Sequence, residues 1–250
     1  MLIRIALIAI AIVIGGWVFL VARPLQLESA LVGVAGSIVH GQSFTAGALA
    51  QVDDLAHSVD VEKGRYSDLL RDVAIVRLHE AENAFVTGDR RKIQDASAAA
   101  RSAIQRSLSS SPRDAFLWFA LSWLNLIQQG DPRDTSAFLR LSYQTGPNEG
   151  WVSLRRNNVA LITFALLDPD LKDKALSEFQ EMANVYSFIP VVARLIAGTD
   201  PAFQEQLLLA LSYAPDENKK LLAQMLPEMG VDAPVPGVAS DVKPFDFKVP

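Results

Sequence analysis

The sequence predicts an all-α protein: a single N-terminal transmembrane helix followed by irregular helical hairpins that stack as a solenoid or bundle. Three observations lead there. Residues 5–22 are an uncharged apolar run. The chain beyond them carries apolar stripes at helical spacing and no long apolar–polar alternation, which argues for helices and against a substantial sheet. Finally, Asp-Pro or Ser-Pro pairs before the stripes and glycines after them cut the body into pieces of helical length.

The apolar run reads IALIAIAIVIGGWVFLVA, bounded by Arg4 and by Arg23-Pro24. As a helix it spans about 27 Å, close to the thickness of a bilayer core. Its Ile, Leu, Val and Phe side chains favour insertion by about 3–7 kcal/mol. Trp17 lies near one end, where an indole sits well among headgroups. A cleaved signal peptide is the rival reading. The run exceeds the usual apolar length of a signal, and Leu20-Val21-Ala22 puts a bulky residue where cleavage wants a small one, which favours an uncleaved anchor. Arg4 and Arg23 flank the run on both sides, so local charge barely orients it. The very short N-terminal tail is similar to that of a bacterial signal-anchor. That similarity places the helical body on the periplasmic, extracytoplasmic side of the inner (plasma) membrane, and residues 1–23 are the tail and anchor.

Residues 24–63 read as a juxtamembrane linker, with Gly33, Gly36, Gly41 and Gly47 among small and apolar residues and a short helix near 48–57. Residues 64–226 form the helical domain. Leu69, Val73, Val76 and Phe85 mark a stripe between about 65 and 86, and the Ala-rich 93–108 favours helix by propensity. The segment 116–127, FLWFALSWLNLI, is nearly all apolar, which predicts a helix covered on more than one side. Leu171, Ala175, Phe179, Met182 and Tyr186 form another stripe. Ser111-Pro112, Asp131-Pro132, Asp168-Pro169 and Asp200-Pro201 predict helix starts, and Gly88, Gly130, Gly146, Gly198 and Gly230 predict stops. Residues 227–250, rich in proline and without a helical stripe, read as an extended, disordered tail.

Net charge is −5, and the short basic runs are scattered among acids, which argues against nucleic acid as a partner. The chain has no cysteine and three histidines, excluding disulfides and thiolate metal sites. His79-Glu80 begins a zinc-protease-like phrase, but Asn83 stands where the second histidine belongs. No phosphate-binding glycine loop occurs, and Asp53-Asp54 reads as surface charge. No catalytic, cofactor or metal residue is therefore assigned. Isolated polar residues on apolar helices are the candidates for binding: Asn125 in the 116–127 segment, and Arg155, Arg156, Asn157 and Asn158 interrupting WVSL…VALITFALL. Arg and Asn can pair with a ligand's carboxylates and backbone amides.

Three helix ends share a pattern. Ser107-Leu108 through Pro112-Arg113-Asp114 parallels Ala210-Leu211 through Pro215-Asp216-Glu217, and Leu141 through Pro147 repeats it with a longer spacing. Trp118 follows the first proline, Trp151 stands about 33 residues further on, and Gly-Asp pairs recur at 88–89 and 130–131. In these residues the chain resembles the tetratricopeptide-repeat family, over at best residues 64–217. It departs from that pattern in the short interval from Pro147 to Trp151 and the long one from Gly88 to Pro112. The resemblance implies stacked helix pairs whose inner surface grips a peptide or a partner's helix. The expected function is a membrane-tethered scaffold or adaptor for proteins of bacterial envelope, secretion or surface-polysaccharide assembly, with the bilayer engaged through residues 5–22. The alternatives are an accessory subunit of a larger membrane complex, and a ligand-binding or catalytic helical domain.

Overall fold

The computed structural model describes residues 67–147 and 149–239. The apolar run 5–22, the linker 24–63 and residues 240–250 lie outside the described residues. Within them every regular element is helical, as the periodicity predicts, and no helix is long and apolar enough to cross a membrane. The chain divides into two compact units, residues 1–112 and 113–250.

In the first unit, α1 (Ser67–Thr87) and α2 (Arg90–Ser110) form a hairpin. Gly88 turns the chain at φ +71°, a left-handed conformation that favours a residue without Cβ. Asp89 then caps α2, accepting from the backbone N–H groups of Arg91 (3.0 Å) and Lys92 (3.3 Å). Leu69, Val73 and Val76 are buried as their stripe predicts, whereas Phe85, near the C-terminal end of α1, is 49% exposed. The buried face of α2 is built of small residues, Ser97, Ala100, Ala103 and Ser107, beside Ile104 and Leu108.

Ser111-Pro112 does not start a helix. Ser111 closes α2, its N–H donating to the Ser107 carbonyl at 2.8 Å. The start falls instead at Asp114, whose carboxylate accepts from the Leu117 N–H at 3.0 Å. A serine whose backbone still completes one helix is not in the extended conformation that begins the next, and the proline after it serves as a stop.

The second unit contains α3 (Ala115–Ile127), α4 (Pro132–Thr145), α5 (Gly150–Ile162), α6 (Pro169–Ala183), α7 (Ile189–Ala197), α8 (Pro201–Ala210) and α9 (Asp216–Met225). Short 3-10 turns lie at Phe164–Leu166, Tyr186–Phe188 and Pro227–Met229. Asp131 and Asp200 cap α4 and α8 through the N–H groups of Arg133 (2.9 Å) and Phe203 (3.1 Å). The side chain of Asp168 makes no such cap; it accepts from Arg140 of α4 at 2.8 Å. Helix α3 is buried on several sides through Phe116, Leu117, Ala120, Leu121 and Leu124, as its apolar sequence requires. On α6 the stripe Leu171, Ala175, Phe179 and Met182 is buried, but Tyr186 falls beyond the helix, in a 3-10 turn, and is 56% exposed. The short α7 packs against α5, α6, α8 and α9, with Val192, Ala193 and Ile196 fully buried. The core also reaches past residue 226. Val231 and Val235, expected in the extended tail, are buried against the α7–α9 cluster, and Val238 packs on it. Regularly spaced valines give this segment an apolar side to bury although its prolines bar a helix.

Candidate binding cleft

Successive residues of an α-helix point about 100° apart, so Arg155, Arg156, Asn157 and Asn158 on α5 face four directions. Asn158 is exposed. Arg155 is half-buried, its guanidinium 5.9 Å from the centre of the Phe116 ring. Arg156 and Asn157 are fully buried. The Asn157 Nδ2 donates to the Ala175 carbonyl of α6 at 2.8 Å. Asn125 is elsewhere, at the end of α3, where its Nδ2 donates to the Asp131 carbonyl and to Thr135 Oγ1, both at 2.8 Å. The five candidate binding residues do not converge on one surface. Asn125, Arg156 and Asn157 are bonded within the fold, because a polar group carried into an apolar interior must find its partner there.

Arg156 organises the meeting of α4, α5 and α6. Its Nε donates to both carboxylate oxygens of Glu178 (3.2 and 3.3 Å), and its Nη2 donates to Oε1 of the same group. Its Nη1 donates to the backbone carbonyls of Ser142 (2.9 Å) and Gly146 (3.1 Å) at the C-terminal end of α4. The guanidinium carbon stands 4.0 Å from the centre of the Tyr143 ring, a cation–π contact in a desolvated setting. Glu178 also accepts from Ser153 Oγ (2.6 Å) and from the Tyr143 hydroxyl (3.1 Å). Burial, followed by the neighbouring carboxylate, pushes the Tyr143 pKa far above its ordinary value, so the phenol stays a donor.

Glu178 and Tyr143 are cleft residues that sequence reasoning missed, although a signal existed for Glu178. Glu178 stands three residues after Ala175 and four before Met182, on the buried stripe of α6. A carboxylate at such a position calls for a buried cation.

Above this network opens a cleft of about 530 Å³. Tyr143, Ser153 and Glu178 form its floor, and their polar groups are bonded to one another and to Arg156. Along one wall α6 presents Lys174, Ser177 and Glu181, all exposed. The far end is apolar, with Met182, Val185 and Phe188. There Gly150 approaches Phe188; a Cβ at Gly150 would stand 3.8 Å from the ring. The arrangement offers a rigid polar floor, an apolar pocket and two accessible charges of opposite sign.

A smaller recess of about 260 Å³ lies beside Arg140, Leu166 and Asp168. Its arginine is spent on Asp168 and Asp170, and that bonding holds the Asp170 carboxyl below the usual range. In the first unit, Glu80 of the His79-Glu80 phrase accepts from Arg77 at 2.8 Å. Among the described residues no cluster of three or more His, Asp or Glu is placed to hold a metal ion. No family model, curated protein or solved structure matches this chain.

Proposed function

We propose that this chain is a membrane-tethered adaptor: residues 5–22 hold it in a bilayer, and the cleft over Arg156 and Glu178 receives a segment of a partner protein. The cleft carries this reading. Its floor groups neutralise one another, so none is left as a free base or nucleophile, whereas its walls pair apolar surface with accessible charge. That combination suits recognition of a peptide or helix better than bond-making chemistry. The resemblance of the helix ends to tetratricopeptide repeats points the same way, toward bacterial envelope, secretion or surface-polysaccharide assembly. The apolar run then determines where the binding surface acts, and the periplasmic side is the proposed location of the body.

The test compares two full-length proteins captured from gently solubilised membranes. One is unaltered. The other carries Ser177→Trp, a bulky group placed on the exposed wall of α6, where it fills the cleft without touching the core. The expected result is a defined set of partner proteins retained by the first and lost by the second. Equal recovery by both would remove the cleft from the function. A topology reporter fused after Pro250 reads the side of the membrane, and a cytoplasmic signal would overturn the periplasmic placement.

A further inference from the structure

The exposed charges of the cleft share one helix face. On α6, Lys174, Ser177, Glu181 and Val185 follow at three- and four-residue intervals, and all four line the cleft. Lys174 and Glu181 are both exposed and stand two turns apart, about 10 Å along the axis. Lys174 acts on Asp170 through its field, while that carboxylate is bonded to Arg140. The face changes character along its length: Lys174 stands at its polar start, whereas Glu181 adjoins Met182, Val185 and Phe188. Ser177, between the two charges, is small, and α5 faces the cleft with Gly150 and Ser153, which lets another backbone come close.

A stripe at helical spacing is matched by a second helix. Two helices laid side by side have the same rise, so charges seven residues apart on one meet charges seven apart on the other. A segment that enters by main-chain pairing instead needs a sheet edge, and the described residues contain no strand. Charge complementarity then sets the order: an acid for Lys174, a base for Glu181, and an apolar side chain beyond the base. Acid before base is also the order that stabilises a short helix on its own, and it runs parallel to α6.

We propose that the cleft receives an amphipathic helix of the partner lying parallel to α6. An acid of that helix pairs with Lys174, a base seven residues later pairs with Glu181, and an apolar residue one turn further covers Met182, Val185 and Phe188. The proposal rests on the cleft being the partner's binding surface and adds what the partner presents to it.

The probe is a fluorescent, alanine-rich helical peptide with glutamate and lysine seven residues apart and leucines four residues before and after the lysine. It is added to the full-length protein in detergent micelles and followed by anisotropy at low salt. A control peptide has its glutamate and lysine exchanged. The first peptide is expected to bind about tenfold more tightly than the control, because exchange turns two attractive pairs into repulsive ones. In the Lys174→Glu/Glu181→Lys protein, whose altered side chains are exposed and leave the core untouched, the preference inverts. No binding by the first peptide, equal affinity for the two, or a preference that the variant leaves unchanged overturns the proposal. Proline placed between the glutamate and the lysine should abolish binding, and retained binding overturns the helical occupant. If the peptides show no preference while Ser177→Trp still loses its partners, this proposal falls and the adaptor reading stands. If Ser177→Trp keeps every partner, the adaptor reading falls whatever the peptides do.

Discussion

In the α3–α4 hairpin, Asn125 bonds a carbonyl and a hydroxyl six and ten residues away. At the junction of α4, α5 and α6, Arg156 reaches carbonyls ten and fourteen residues back and a carboxylate twenty-two residues on. Both are polar side chains buried among apolar helices, and both donate to backbone carbonyls of a neighbouring segment. They differ in charge and in range. The asparagine is neutral, so its burial costs little once its amide is paired. The arginine carries a full charge to a position without solvent exposure, and only a second charge with a full set of hydrogen bonds makes that tolerable. The contrast teaches that a local clamp can be lost piecemeal, whereas the charged junction stands or falls as a unit.

The largest test of that contrast is Glu178→Ala. It leaves the Arg156 guanidinium buried without its counter-charge and is expected to cost about 3–5 kcal/mol, measured as the shift in urea midpoint. The double variant Arg156→Met/Glu178→Leu removes both charges and fills similar volume, so it should lie much closer to the unaltered protein. A double variant as unstable as the single one would show that shape, not charge, holds the junction.

The matching test of the hairpin is Gly130→Ala. A Cβ there collides with the carboxamide of Asn125, forcing it off its two acceptors at a cost of about 1–3 kcal/mol. Adding Asn125→Ala relieves the collision, so the pair should be less destabilised than the sum of its parts. Strict additivity would mean that the clamp and the turn are independent.

A smaller effect separates the two regions by pH. Tyr143→Phe removes one hydrogen bond to Glu178, worth about 1 kcal/mol at neutral pH. Because folding raises the Tyr143 pKa, its contribution is fully present below the unfolded value near 10 and declines as pH rises above it. The unaltered protein should therefore lose stability above about pH 10, and the Phe variant should lose less. Asn125 does not titrate, so Asn125→Ala should lower the whole stability profile without changing its alkaline slope. A Phe variant with the unaltered protein's alkaline slope would take Tyr143 out of the charged network.

How much of this was legible follows from range. Asp131 before Pro132 predicts the start of α4 because a cap and its N–H groups lie within three residues. Leu171, Ala175, Phe179 and Met182 predict the buried face of α6 for the same local reason. Ser111-Pro112 misled because the same pair serves as the end of one helix or the start of the next, and only the backbone of α2 decides. The polar run on α5 supplied four candidate binding residues, yet the sequence does not say which of them points inward. Packing against α4 and α6 turns Arg156 and Asn157 into the core and leaves Asn158 exposed. The cleft itself had no local signal, since its floor gathers Tyr143, Ser153 and Glu178 from three helices.

The sequence alone therefore determined the all-α class, the starts of α4, α6 and α8, and the apolar run that motivates a membrane tether. These depend on periodicity, capping and solvation, which act within a few turns of chain. Only the tertiary structure decided that Arg156 meets Glu178, that Val231 and Val235 belong to the core, and that one wall of a cleft carries Lys174 and Glu181. Those outcomes depend on which helix faces share an interior. There a buried charge must find its partner at whatever distance along the chain the packing supplies it.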